Sequence, residues 1–265
     1  SGAEVASIPD GERLTAESTV ILPADEPVLP DLSPLPPSDL RIATVNGRKV
    51  IRFTAKFWNE GGGPLDLMTN GTTSQRIVRA DGTERRRVVG DFVWHQAHLH
   101  YHFSDFADYK IEPAHQPSGT ADGSITQKTT FCMRDNEAVD LTLPGAAPRA
   151  VYTACNQYRQ GVSVGWADVY GSTLSDQFID VHDLAPGTYR LSFDIDPRGH
   201  FVEQNRENNV SGAIVELDVT NDGYDTLFTP DQIRVTSRTP VAQASDSDAP
   251  AWQVGLKLTG YGYGG

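Results

Sequence analysis

The chain has 265 residues, enough to bury a sizeable core in one large all-β domain or in one domain with extended arms. Its formal net charge of −13 argues against a nucleic-acid binder, which needs a basic face for phosphates. The charge suits a cationic partner or substrate, or serves solubility alone. No run of 18 apolar residues occurs, so no membrane-spanning helix is expected.

The N-terminal SGAEVASIPDGERL has neither a basic n-region nor an apolar h-region, so any signal peptide is expected to have been removed already. Residues 1–40 carry Pro23, Pro27, Pro30, Pro34, Pro36 and Pro37. Proline removes backbone donors, which predicts an extended arm or loose leader outside the core. From about residue 41 the pattern changes. Segments 49–57, 76–79 and 87–93 alternate polar and apolar residues with β-branched enrichment and read as strands. Gly61-Gly62-Gly63-Pro64 and Asp81-Gly82 supply turns, the second a tight hairpin. Arg85, Arg86 and Arg87 read as charges on an edge strand that discourage aggregation. Alternation returns at 189–196 and 210–219, and Asp183–Tyr189 reads as a turn feeding the first of these. Helical periodicity is nearly absent. The fold class is therefore an all-β sandwich with long functional loops and an extended Pro-rich N-terminal arm. Residues 222–265 form a C-terminal extension of weaker strands and a Gly/Tyr tail.

The sharpest signal is Trp94-His95-Gln96-Ala97-His98-Leu99-His100-Tyr101-His102, with four of the seven histidines in eight residues. On a strand, His98, His100 and His102 share one face, ~6–7 Å apart from one to the next. Leu99, Tyr101 and Phe103 then face the core. Three imidazoles on one face can turn inward to a common centre, and imidazole suits copper and zinc. His95 has the opposite parity, a structural or supporting position unless a bulge re-aims it. The plainer reading of the cluster is a solvated polar face. Cys132 and Cys155 are 23 residues apart, two free thiols in a cytosolic enzyme or one bridge in an exported one.

The histidine run resembles the copper-binding segment of the lysyl oxidases. Other blocks agree with that family in order. Leu29-Pro30-Asp31-Leu32, Arg52-Phe53 and Asn59-Glu60-Gly61 resemble the approach to the segment. Lys128-Thr129-Thr130-Phe131-Cys132-Met133-Arg134-Asp135 resembles the family's Lys-x-x-Phe-Cys-Leu-x-Asp block. Asp168-Val169-Tyr170-Gly171 with Gln177-Phe178-Ile179-Asp180 resembles its Asp-x-Tyr-Gly…Gln-Trp-Ile-Asp block, and Glu203 with Asn208-Asn209 its Glu…Asn-Asn ending. The resemblance covers roughly residues 29–219.

That resemblance implies a catalytic domain over residues 41–221. It implies His98, His100 and His102 as copper ligands, and a lysyl tyrosylquinone cofactor made from Lys128 and Tyr170. Zinc is the expected occupant of an immature site. The implied reaction is oxidative deamination of primary amines, peptidyl lysine or small alkyl amines, to aldehydes, with dioxygen consumed and ammonia and hydrogen peroxide released. It also implies a secreted protein and a Cys132–Cys155 bridge. Asp105, Asp135, Asp168 and Asp180 are the candidate general bases. The chain departs from animal members in having only two cysteines and Ala97 where they carry a cysteine, which leaves its natural amine open. Two other classes remain as alternatives. One is a zinc hydrolase or lyase with a three-histidine site and a bound water. The other is a non-catalytic copper- or zinc-binding sandwich module.

Overall fold

The computed structural model describes residues 26–115, 124–125, 129–218 and 232–240. Among them the strands are β1 (Pro27–Val28), β2 (Leu32–Val45), β3 (Arg48–Asn59), β4 (Leu65–Asn70), β5 (Thr72–Arg79), β6 (Glu84–Val88), β7 (Phe92–His95), β8 (His100–Phe103) and β9 (Ala107–Pro113). They continue as β10 (Ser124–Ile125), β11 (Glu137–Ala138), β12 (Arg159–Val162), β13 (Trp166–Tyr170), β14 (Phe178–Asp180), β15 (Gly187–Ile195), β16 (Val210–Asp218) and β17 (Gln232–Pro240). The described residues contain no helix, so none is long and apolar enough to cross a membrane.

The protein is an all-β, sandwich-like fold of antiparallel sheets. In one sheet β3 is central, with β2 on one side and β13 and β14 in succession on the other. The second sheet runs β10-β9-β15-β16-β17, and β15, β16 and β17 lie against β2. The third runs β1-β5-β4-β12, with β6 on β5. Alternation decides which faces meet. Ile51, Phe53, Ala55 and Phe57 of β3 are buried, whereas Arg52, Thr54 and Lys56 between them are partly exposed. The core is aromatic: the Tyr109 ring meets Phe53 at 4.7 Å edge-to-face and Phe193 at 5.0 Å between centroids.

Three expectations need correction. The Pro-rich stretch is not wholly outside the core, because β2 begins at Leu32, which is fully buried. Its prolines are compatible with a strand for two reasons. Among the described residues β2 pairs only with β3 and so lies at a sheet edge, and its register shifts around Pro36-Pro37 and again before Arg41. Segment 87–93 is not one strand, since Val89-Gly90-Asp91 separate β6 from β7. Gly90 permits that break: a Cβ there would sit 2.8 Å from the Phe103 ring. Leu99 does not face the core and is 66% exposed. By contrast, β6 is an edge strand whose three arginines are all exposed.

The triple-glycine turn carries the chain from β3 in one sheet to β4 in another. A Cβ on Gly61 would collide with the Asp31 backbone at 2.3 Å. This close approach builds a polar corner from segments far apart in sequence. Asn208 Nδ2 donates to Asp31 Oδ1 at 2.8 Å and to Glu60 Oε1 at 3.2 Å. Burial raises both carboxyl pKa values, and for Glu60 the nearby Asp31 adds to the rise. Glu203 accepts from Leu32 N, Asn209 Nδ2 and Arg206 Nη1. Arg206 also donates to Asp196, a fully buried carboxylate that further accepts from the amides of His200 and Phe201. Tyr189 in turn donates its hydroxyl back to Ala185 O at 2.8 Å, closing the turn that feeds β15.

Candidate metal centre

The four clustered histidines lie on a hairpin, not on one strand. β7 pairs with β8 so that His95 faces His100 in register, and Gln96, Ala97, His98 and Leu99 form the loop. His98 N and Leu99 N both donate to His95 O, at 3.2 and 2.9 Å, and Leu99 takes a positive φ of 55° to close the turn. His98 therefore reaches His100 and His102 from the turn. The period-two reading holds only for His100 and His102, which share β8.

The inner nitrogens converge. His102 Nε2 lies 2.9 Å from His100 Nε2 and 3.3 Å from His98 Nδ1. A neutral imidazole carries one proton and one lone pair, so nitrogens gathered like this are best satisfied together by a cation. Ligands at the usual 2.0–2.1 Å from a tetrahedral ion stand ~3.3 Å apart, so these contacts fit a first-row metal. The outer nitrogens are engaged elsewhere. His102 Nδ1 meets Thr130 Oγ1 at 3.0 Å, and His98 Nε2 meets Ser175 Oγ at 3.3 Å. Such outer partners fix the tautomer and ring orientation of a metal-binding histidine.

His95 also belongs to this group. One ring nitrogen from each of His95, His98 and His102 falls within 4.8 Å of the others. Its Nε2 lies 3.1 Å from Asp176 Oδ2, the same carboxylate oxygen that approaches His98 Nε2 at 3.8 Å. Thr130, Ser175 and Asp176 carry no motif of their own, and only the neighbouring Lys128–Asp135 and Gln177–Asp180 blocks point to their segments. His100 also lies near Cys132 and Cys155, but these are joined in a disulfide. A disulfide sulfur is not a thiolate ligand, so that proximity is packing.

The bridge bears on the hairpin from outside. Tyr101 N donates to Cys155 O at 3.0 Å, and Phe103 exchanges backbone hydrogen bonds with Phe131, the residue before Cys132. The free edge of β8 is thus fastened at two points that the disulfide ties together.

Tyr170 lies on β13, fully within the core. Its hydroxyl donates to Cys132 O at 2.7 Å and accepts from Cys132 N at 2.6 Å, and its ring meets Phe131 edge-to-face at 4.6 Å. Burial pushes the phenol pKa well up, and nearby Asp168 pushes it further. Lys128 lies outside the described residues.

The four candidate bases separate by environment. Asp135 accepts from Val151 N, Tyr152 N, Ser163 N and Ser163 Oγ, a structural role. Asp180 pairs with Arg48, and Asp105 is a half-buried carboxylate 3.6 Å from Arg198. Asp168 is buried on the same face of β13 as Tyr170, and burial raises its pKa well above the ordinary carboxylate value. Among the described residues its Oδ2 has no hydrogen-bond partner.

Fold and site together define an all-β protein with a histidine-rich hairpin whose side chains could hold a metal ion, and a buried tyrosine in the core. The lysyl oxidase family model matches residues 37–223, well over half of the chain. The chain belongs to the lysyl oxidase family, and so to a family of oxidases. It is similar to lysyl oxidase homolog 3A of Danio rerio, 34% identical over 118 residues, which is 44% of this chain and 15% of that protein. It is also similar to the protein-lysine 6-oxidase of Homo sapiens, 33% identical over 132 residues, which is 49% of this chain and 28% of that protein. With the protein-lysine 6-oxidase of Sus scrofa it shares 34% identity over 118 residues, 44% of this chain and 43% of that protein. Each match spans a minority of the relative's length.

Proposed function

We propose that the protein is a secreted, copper- and quinone-dependent amine oxidase, converting primary amines or peptidyl lysine to aldehydes with release of ammonia and hydrogen peroxide. The observation that carries this reading is the convergence of His98, His100 and His102 at 2.9 and 3.3 Å about His102 Nε2. Those three residues hold the copper, and Lys128 with Tyr170 supplies the lysyl tyrosylquinone. When formed, such a cofactor would supply the acceptor for the two electrons of the amine, with dioxygen as the final oxidant.

The chain's own geometry supports the pairing. Segment 130–132 touches both partners of the chemistry: Thr130 meets His102, and Cys132 holds the Tyr170 hydroxyl. Lys128 precedes Thr130 by two residues, a span of at most about 7 Å. Asp168 is the carboxyl suited to take a proton from substrate, because its buried setting makes it a stronger base near neutral pH. The acidic surface implied by a net charge of −13 draws in a cationic amine. The disulfide agrees with an oxidising, extracellular setting.

The test is peptide mapping of copper-grown protein for a Lys128–Tyr170 cross-link, with Lys128→Arg and Tyr170→Phe as controls. A guanidinium is not a free nucleophile at working pH, and Phe lacks the hydroxyl from which oxidation of the ring begins. Both variants should bind copper normally, lack the cross-link and the hydrazine-reactive chromophore, and lose amine-dependent peroxide formation. Full peroxide production by either variant overturns the reading.

A further inference from the structure

The chain carries a formal net charge of −13, yet one sheet edge has the opposite character. Among the described residues β6 pairs with β5 alone, and every residue from Glu84 to Val88 is exposed, Val88 at 68%. Val89 N donates to Thr73 O at 3.1 Å, which sets the alternation of the ladder. Arg87 and Arg85 therefore exchange hydrogen bonds with Gln75 and Ile77, and the N–H and C=O groups of Arg86 and Val88 point away from β5. A row of open backbone groups is a template for one more strand. The arginine side chains divide between the two faces of the sheet. Arg85 and Arg87 stand on the face of buried Ile77, and Arg86 stands on the other beside Arg76. Among the described residues no carboxylate is in salt-bridge contact with any of the three. Glu84 is held by Arg76, and Arg87 gives Nη2 to Gly199 O at 3.1 Å.

We propose that the β6 edge is a docking site for an acidic, extended segment of a partner protein, which joins the sheet as a further strand and sets carboxylates opposite Arg85, Arg86 and Arg87. Side chains paired across neighbouring strands stand about 5 Å apart, within reach of a guanidinium fork. The split of the arginines between two faces selects this occupant. A sulfated polysaccharide rests against one face of a sheet and meets at most two of them. An added strand alternates as β6 does and meets all three. A second copy of this chain is disfavoured, because two β6 edges set arginine against arginine. Only Val89-Gly90-Asp91 separate β6 from β7, so a docked partner lies next to the histidine hairpin. The docking site does not depend on the amine oxidase reading.

The experiment uses the full chain and a fluorescent peptide in which three successive glutamates lie between valines and threonines. Fluorescence anisotropy should detect binding that weakens with added salt. A version with glutamines should bind about 10-fold more weakly. An acidic version with proline in place of each valine keeps the charge but loses backbone donors, and should also bind about 10-fold more weakly. Arg86→Glu should lower affinity for the acidic peptide about 10-fold and should take up a lysine version instead. Bound acidic peptide should slow hydrogen exchange at the Arg86 and Val88 amides and leave those of Arg85 and Arg87, already paired, unchanged. Thermal melting of Arg86→Glu near the wild-type value separates loss of docking from misfolding. Equal binding of the proline and valine peptides would reduce the edge to diffuse charge and overturn the proposal. Wild-type affinity in Arg86→Glu overturns it as well. So does a wild type that ignores the acidic peptide at low salt, whether or not it captures heparin.

Discussion

Two polar clusters, the histidine hairpin and the Asp196–Arg206–Glu203 corner, are organised in opposite ways. In the corner, donors meet acceptors: Asp196 receives two backbone amides and a guanidinium, and Glu203 receives an amide, an Asn side chain and the same guanidinium. In the hairpin, imidazole nitrogens face one another, an arrangement that a cation would suit. The corner joins β2, the loop before β4 and the loop before β16, which makes it a fastening. The hairpin runs only from Phe92 to Phe103 and meets Thr130, Ser175 and Asp176 at its side. A cluster in which every donor meets an acceptor stabilises a fold, whereas like groups gathered together suit a ligand of opposite character.

The sharpest way to break this contrast is to show that the hairpin is needed for stability. His100→Ala should lower copper binding at least 100-fold and abolish amine oxidation, while the metal-free protein melts close to wild type. A large loss of metal-free stability with copper retained would erase the distinction. The converse substitution is Asp196→Ala. It removes a buried carboxylate that holds Arg206 and two amides, and should cost about 3 kcal/mol in denaturant unfolding while leaving the copper stoichiometry at one.

A smaller effect comes from pH. Burial raises the Glu203 carboxyl from 4.5 to about 7, against the pull of Asn209, the Leu32 amide and Arg206. A raised carboxyl stabilises the fold fully below the unfolded value, and that contribution is lost as pH rises through the folded one. Chelator-treated wild type should therefore lose stability between pH 5 and pH 8, on the order of 2 kcal/mol from this group. Glu203→Gln should flatten the profile over that window. An unchanged slope, read from denaturant midpoints, would remove Glu203 as its source.

Much of this was legible in the sequence, unevenly and for physical reasons. β3, β15 and β16 were visible because each keeps a period-two alternation with one face in the core. β2 was hidden because prolines at a bulged edge look the same as prolines in a free arm. The clustered histidines were visible as a type of residue but not as a shape. The hairpin loop Gln96-Ala97-His98-Leu99 contains no Gly, Pro, Asn or Asp, so nothing announces a turn, and the positive φ falls on a leucine. Asp176 could not be found from the sequence, since its value lies in what it faces across the fold. The polar corner was visible only as separate blocks, because its members range from Asp31 to Asn209.

The double hydrogen bond between the Tyr170 hydroxyl and the backbone of Cys132 has a consequence for following the protein in time. The Cys132 amide proton is held by a buried phenol oxygen, so its exchange with solvent deuterium requires the pocket to open. If the tyrosine ring leaves this seat to join Lys128, the amide loses its acceptor while the strands around it stay paired. Exchange at this one backbone position would then accelerate as neighbours such as Phe131 and Phe103 remain slow, giving a clock for cofactor formation that needs neither colour nor turnover.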